Sequence, residues 1–418
     1  MVGRRAVINR IEVDGDRVAR LLTEVNQFGR LPAGGIQRLA WTEPEVAARA
    51  WLLDRCRSEG LEAEQDQAGN IWAWGGRRPA IVIGSHLDTV PNGGDFDGAL
   101  GVVAALEILS TARRAGLAHS DRLAMVCFTD EEGVRFSTGM TGSRAVAGTL
   151  GPTELADATT ADGRRLWDVL LANGLDPARV PDAAERRPDM AAYLELHIEQ
   201  GRRLEATSSP VGLVDAIAGL SSWHIHVLGE RNHAGATALP DRRDALIPVA
   251  VAIRAARQAM HDIPGLVATV GDVQVVDGAS NIVPGGAHFS LDIRSTDPDE
   301  INTATRQVLD PVRESAMDTG CEVRIELAKS LAPVLLDRSI LSMIRRAVPK
   351  GRRCPEMASM AGHDAMSLAA AGVPTGMVFV RSARGMSHCP QEHSAAQDCT
   401  EGAQLMADVA LLLARDLL

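Results

Sequence analysis

The sequence predicts an α/β fold: a mixed-sheet domain with helices on both faces, split in sequence by an inserted α+β domain. Three observations carry this reading. Up to about residue 200, short apolar runs alternate with stretches of helical periodicity, the rhythm of a sheet covered on both sides. From about Val211 a block of strands with two long helices takes over. After "CEVRIEL" the earlier rhythm returns and runs to the C-terminus. A chain of 418 residues is also long for one domain and suggests two. We place the first domain at 1–210 and 329–418, and the inserted one at 211–328.

The elements follow in order. "DRVARLLTEVNQFG" and "TEPEVAARAWLLDRCRSEG" have helical spacing, and Thr42-x-x-Glu45 reads as a capping box opening the second, with Gly60 at its end. "NIWAWG", "AIVIGS", "RLAMVCFT" and "YLELHIE" are short apolar strands, and "GALGVVAALEILSTARRAG" among them is a helix. Residues 152–190, rich in Ala, Asp, Arg and Pro, read as a surface excursion with one helical piece. In the inserted block, "VGLVDAIAG", "SSWHIHVLGE", "LVATVGDVQVV" and "GAHFSLDIRS" are strands. "DRRDALIPVAVAIRAARQAMHD" and "PDEINTATRQVLDPVRESAMDTG" are its helices. The returning segment supplies "LSMIRRAV", "GHDAMSLAAAG", "TGMVFV" and a final helix, "EGAQLMADVALLLARDLL".

Composition narrows the function classes. The chain is 45% hydrophobic and 23% charged with a net charge of −11. An acidic chain without a basic block argues against nucleic acid and against a membrane surface, though a local site can still oppose the global field for a small anion. No run of about 20 apolar residues suggests a membrane span, and the N-terminal arginines lack the apolar stretch of a signal peptide. Six cysteines without a C-x-x-C pair read as reduced thiols, hence a cytoplasmic expectation.

Chemistry concentrates at predicted strand ends. In "IGSHLDTVPNGGDFDGALGV", His86 and Asp88 lie two apart and share a strand face. Asp97 follows in a glycine-rich loop. Imidazole and carboxylates there are parts of a hydrolytic metal site; the bland alternative is a turn-capping Asp88 and an interior His86. "VCFTDEEGVRF" ends its strand in Glu131-Glu132, where one acid can hold a metal while its neighbour faces a water, or both are a solvated turn. His197 in "YLELHIEQG" is a ligand or a packed core histidine. His388 lies in the loop "GMSHCPQEH" after a strand. Their shared place at strand ends is what the bland readings leave unexplained.

These stretches, with "NHAGATALPDRRDA", "NIVPGG…LDIR" and "AGHDA", occur in an order that resembles the M20-type metallopeptidase-like amidohydrolases. The resemblance runs from about residue 20 to the C-terminus, and is strongest to the branch with N-carbamoyl-L-amino-acid hydrolases, metal-type β-ureidopropionases and allantoate amidohydrolases. It implies two divalent ions (Zn²⁺, Mn²⁺, Co²⁺ or Ni²⁺): one on His86 and His197, the other on Glu132 and His388, with Asp97 bridging. It makes Asp88 the support of His86, and Glu131 the general base of a metal-assisted hydrolysis. It implies that His233 stabilises the oxyanion from a partner subunit, so that the inserted domain is a lid and a homodimer contact. Asn281 and Arg294 bind a small carboxylate-bearing substrate, and Gln200, Gly362, His363 and Asp364 line the cleft. The expected reaction is cleavage of the ureido or amide C–N bond of a small N-carbamoyl-L-amino acid or related ureido acid. Allantoate and N-acyl amino acids or small peptides are the alternatives. A binding protein without catalysis, or a dimerisation module, are readings of another class; both acids at 131–132 argue against the first. Three stretches depart from the family pattern: Leu220 stands where the ureide branch often has Gln, Ala236-Thr237-Ala238-Leu239 where Thr-Thr-Pro-Met is common, and Arg202-Arg203-Leu204-Glu205 where an apolar stretch is usual. The first two bear on the substrate.

Overall fold

The computed structural model describes residues 10–416. Its contacts divide the chain into two units: Met1–Asp215 with Leu335–Met357 and His363–Leu418, and Ala216–Val334 with Ala358–Gly362.

The first unit begins with α1 (Gly15–Val25) and α2 (Glu43–Ser58), followed by β1 (Glu62–Gln65), β2 (Ile71–Trp74) and β3 (Ala80–His86). Next come α3 (Ala99–Arg114), β4 (Leu123–Phe128), α4 (Thr141–Ala147), α5 (Pro152–Asp157), α6 (Leu166–Ala172), β5 (Met190–Ile198), α7 (Arg203–Ala206) and β6 (Val211–Ile217). The second unit holds β7 (Gly219–Leu228), β8 (Asn232–His233), α8 (Leu246–Asp262), β9 (Val267–Val276), β10 (Ile282–Val283), β11 (Gly286–Ser295), α9 (Pro298–Asp318) and β12 (Glu322–Leu331). The chain ends with β13 (Val334–Leu335), α10 (Arg338–Ala347), β14 (Glu356–Ser359), α11 (Asp364–Ala370), β15 (Thr375–Val380) and α12 (Ala396–Asp416). No helix among the described residues is long and apolar enough to cross a membrane.

A nine-stranded mixed sheet runs β1-β2-β4-β3-β5-β15-β6-β13, with β14 beside β6. Its middle strands β4, β3, β5 and β15 are mutually parallel. Strands β3, β4 and β15 are buried along their whole length, the continuous apolar pattern of a sheet covered on both faces. Parallel strands bring their C-terminal ends to one edge, and there α/β proteins place ligands.

Three expectations change. "VGLVDAIAG" joins the large sheet as β6, antiparallel to β15, rather than the inserted block. Its run, buried except at the half-buried Asp215, already fits a doubly covered strand, whereas β11 alternates buried and half-buried positions. The Thr42/Glu45 capping box does not form: the Thr42 hydroxyl donates to the Leu39 carbonyl, and Glu45 accepts from the Trp41 N–H. Residues 152–190 are more than a surface excursion, because Leu155, Leu166, Leu170 and Val180 are buried.

In the second unit the four-stranded antiparallel sheet β12-β7-β11-β9 carries α8 and α9 on one face. Ile225, Val227, Phe289, Leu291 and Ile293 turn towards Val249, Ala252, Ala304 and Val308 in that core. Their intervening neighbours point to the other face, which carries His224, His226, His288, Asp292 and Arg294.

Candidate metal centre

Each strand of the parallel core delivers part of one cluster at its C-terminal end. His86 ends β3, and Asp88 follows it; Glu131 and Glu132 follow β4; His197 lies near the end of β5; His388 lies in the loop after β15. Asp97 comes from the loop between β3 and α3. All are in the first unit. Gly98, just before α3, has a φ of 62°, and a Cβ there would collide with the His86 ring. Asp130, Gln200 and His388 take φ values of 54°, 56° and 57° without being glycine, a strain that the surroundings must hold in place.

Two triplets of side chains meet in this cluster, His86–Asp97–His197 and Asp97–Glu132–His388, each with its ligand atoms within 4.8 Å of one another. Asp97 divides itself between them. Its Oδ1 is 3.5 Å from His86 Nε2 and 3.2 Å from His197 Nε2. Its Oδ2 is 3.4 Å from His388 Nε2, which in turn stands 3.5 Å from Glu132 Oε1. His86 Nδ1 donates to the Asp88 carbonyl at 3.0 Å, and His197 Nδ1 to the Ile198 carbonyl at 2.9 Å. Carbonyls only accept, so each Nδ1 carries a proton and Nε2 is the atom turned towards Asp97. His197 Nε2 is buried and finds no hydrogen-bond partner, an orphaned atom that a cation would satisfy. Two imidazoles on one side, an imidazole and a carboxylate on the other, and one carboxylate between them suit borderline divalent ions.

Asp88 supports the cluster in two ways. Its backbone carbonyl orients His86, and its carboxylate Oδ1 lies 3.7 Å from the same Nδ1. The carboxylate also accepts from the backbone N–H of Glu131 at 3.2 Å and of Glu132 at 3.1 Å, fixing the acid pair. Glu131 Oε2 reaches to 3.8 Å from His86 Nε2.

Charges crowd this buried place. Burial, then the Glu132 charge, holds the Glu131 carboxyl well above its usual range despite His86. Burial and Asp97 push Glu132 up to about 7. Burial would raise Asp97 too, but the imidazoles of His197, His388 and His86 hold it well below the ordinary range. The hydrogen bond to Asp97 lifts His388 to about 9. Burial would depress His86, yet Asp97, Glu131 and Asp88 raise it well above its ordinary value. Perturbed groups in this density mark a functional site.

A third triplet, Glu195–His197–His363, competes for His197. Glu195 is already engaged, accepting from the Ser85 hydroxyl at 3.0 Å and the Ala365 N–H at 2.9 Å. The His363 ring packs against His197 with centroids 4.5 Å apart, and burial, followed by His197, holds it well below its usual pKa and therefore neutral. Asp364 is buried, and burial and Glu195 raise its carboxyl well above the ordinary carboxylate range against the pull of His86 and Ser143. Gln200 donates through Nε2 to Asp97 Oδ2 at 2.7 Å, and its buried Oε1 finds no partner.

The remaining candidates belong to the second unit. There β8 and β10 pair, and the Ala234 N–H donates to the Asn281 carbonyl at 2.9 Å, so His233 and Asn281 sit on one exposed ribbon. His233 Nδ1 accepts from the N–H groups of Gly235 and Ala236 at 3.0 and 3.1 Å, which leaves Nε2 as the proton-bearing nitrogen. Arg294 donates from Nε to Asp292 at 2.7 Å and from Nη1 to the Met360 carbonyl at 2.9 Å, keeping further N–H groups for a ligand. Leu220 stands directly opposite Arg294 in the β7–β11 ladder. Gly362 closes the Ala358–Gly362 segment of this unit.

Sequence reasoning passed over Glu392 and Ser387, which contact Asp97 or its backbone. Both lie in "GMSHCPQEH", where His388 drew attention to itself and its neighbours carried no ligand pattern.

Comparisons with known proteins find relatives over most of the chain. The profile of peptidase family M20/M25/M40 matches residues 82–412. The chain is 37% identical over 408 residues to the N-carbamoyl-L-amino acid amidohydrolase of Geobacillus stearothermophilus, covering 96% of this chain and 99% of that one. It is 31% identical to the allantoate amidohydrolase of Escherichia coli, covering 93% and 96%. The crystal structure of an amidase of the hydantoinase/carbamoylase family from Burkholderia multivorans aligns with a TM-score of 0.87 at 31% identity, covering 97% of this chain and 98% of that one.

Proposed function

Since the chain belongs to peptidase family M20/M25/M40, we propose that it is a metal-dependent amidohydrolase that cleaves the ureido C–N bond of a small N-carbamoyl-L-amino acid or related ureido acid. The observation that carries the metal part is Asp97, whose two oxygens face separate ligand groups. His86 and His197 would hold one divalent ion and Glu132 and His388 the other, with Asp97 shared between the two groups. When bound, the ions supply Lewis acidity and make water a nucleophile at neutral pH. Zn²⁺, Mn²⁺, Co²⁺ and Ni²⁺ all suit these donors.

The chain's own groups do the rest. Glu131, anchored through its backbone by Asp88, takes the proton of the attacking water and passes it to the leaving nitrogen. As the hydroxyl adds to the carbonyl carbon, negative charge grows on the carbonyl oxygen. His233 of a second copy donates its Nε2 proton there, because its Nδ1 is committed to two backbone amides. The second unit is thereby a homodimer contact. Arg294 and Asn281 bind the substrate carboxylate. A cytoplasmic location goes with the six unpaired cysteines.

The curated relatives support the substrate class, being N-carbamoyl-L-amino acid and allantoate hydrolases by name. Leu220 opposite Arg294 puts an apolar side chain where the second ureido group of allantoate would gain from an amide, which favours an N-carbamoyl amino acid, with its single ureido group, over allantoate. The test is a panel of N-carbamoyl amino acids, allantoate and N-acyl amino acids with added Mn²⁺, Co²⁺ or Zn²⁺. Ammonia with CO₂ from the first group is expected. Release of a carboxylic acid from N-acyl substrates alone would overturn the ureide reading.

A further inference from the structure

A single buried side chain ties together the two loops that form the second cation pocket. Glu392 is 5% exposed. Its Oε1 accepts from the backbone N–H of Phe96 at 2.8 Å and of Asp97 at 3.0 Å. Its Oε2 is 2.8 Å from Ser387 Oγ. Phe96 and Asp97 belong to the loop of the bridging carboxylate, and Ser387 directly precedes His388.

Counting protons gives the network a direction. Ser387 Oγ also lies 3.0 Å from Asp97 Oδ2, but a hydroxyl has one proton to give. The Gln200 amide has two, and its Nε2 is 2.7 Å from Asp97 Oδ2 and 3.3 Å from Ser387 Oγ. Gln200 therefore supplies both Asp97 and Ser387, and the Ser387 proton goes to Glu392. The Glu392 carboxylate then receives three hydrogen bonds, two from the Asp97 loop and one from the His388 loop. Gly94 leaves room for it, since a Cβ at that position would collide with Glu392 Oε1. Asp88 does the corresponding work on the other wall, accepting from the N–H groups of Glu131 and Glu132.

We infer that Glu392 is a positioning residue for the second cation: through the Phe96 and Asp97 amides and the Ser387 hydroxyl it sets Asp97 and His388 at a common distance before the ion arrives. The inference rests on the dinuclear reading above. Groups that orient ligands without touching the ion change metal affinity by about 10- to 100-fold when removed.

The test is calorimetric titration of the metal-free full chain with Mn²⁺ or Zn²⁺, alongside its melting temperature. The wild type should take up two equivalents. Glu392→Gln keeps an oxygen for the two amides but offers Ser387 an NH₂ group, and Ser387→Ala removes the link from the other end. Both should weaken one equivalent by roughly 10- to 100-fold, weaken the other clearly less, since that one shares Asp97 but not His388, and keep the metal-free melting temperature. Gly94→Ala, which displaces the carboxylate, should give the same selective loss. Two equivalents at wild-type affinity in Glu392→Gln and Ser387→Ala would overturn the inference. So would equal weakening of both equivalents with a fall in melting temperature, which marks a purely structural role. If Glu392→Gln fails to fold, Ser387→Ala decides. A wild type that binds fewer than two cations would instead sink the dinuclear reading itself.

Discussion

The first unit's metal centre and the second unit's ribbon and sheet face are built on opposite terms. His86, Asp97 and His197 are buried, and their orientation is fixed by protein groups: two backbone carbonyls hold the imidazoles, and Gln200 and Glu392 hold Asp97. His233 and Asn281 are exposed, and Arg294 is half-buried with donors left over. The difference teaches where precision is needed. Geometry that acts on a reacting bond must be set in advance. On the proposed reading Arg294 and Asn281 grip the substrate's outer end and can wait for it, whereas His233 takes its place at the oxyanion only when the second copy supplies it. The two departures that bear on substrate, Leu220 and Ala236, both fall in the second unit.

The largest effect should come from the buried side. Glu131→Gln keeps shape but cannot take a proton, so kcat should fall by about 10²- to 10⁴-fold, with bound metal unchanged by elemental analysis. Unchanged turnover would remove Glu131 as the base and blur the contrast.

Next comes the exposed side. Arg294→Ala should raise KM for a carboxylate substrate by about 10- to 100-fold, the worth of a charge-assisted pair, with a much smaller change in kcat. Steady-state kinetics would show it, and an amide analogue of the same substrate should be indifferent to the change. A loss confined to kcat would place Arg294 with the reacting atoms instead.

The smallest effect is graded with pH. Glu132, pushed up to about 7, and His388, lifted to about 9, must lose their protons before they can ligate. Protons therefore compete with the cation at low pH, and affinity for the second ion rises as pH rises. The rise is steepest below about 7, where both groups are protonated, and levels off above about 9. Titrations at several pH values would reveal it; a flat profile would mean that these two groups do not ligate.

The same contrast explains what was legible in the sequence. The residues of the cluster stood out because a parallel sheet puts successive strand ends on one edge, so chemistry spaced far apart in sequence converges. The β6 segment misled because it opens the block of strands that begins at about Val211, although its run, buried except at Asp215, is the mark of a strand covered on both faces. The Thr42/Glu45 pattern matched a capping box by spacing alone, while the actual turn sent Glu45 to Trp41. Glu392 left no trace because accepting backbone amides needs no periodicity and no partner of a particular type. Asp88 was found for one role and serves two, since spacing shows that a carboxylate is near a histidine but not which other groups its oxygens accept from.

The bridging role of Asp97 is the centre of the account, and cation stoichiometry tests it most directly. The metal-free chain and its Asp97→Ala variant would each be titrated with Zn²⁺ or Mn²⁺ while elemental analysis counts the bound ions. Two ions per wild-type chain are expected, and neither should bind the variant tightly, because each triplet loses its shared carboxylate. A variant that still binds two ions at wild-type affinity would contradict a centre built around Asp97.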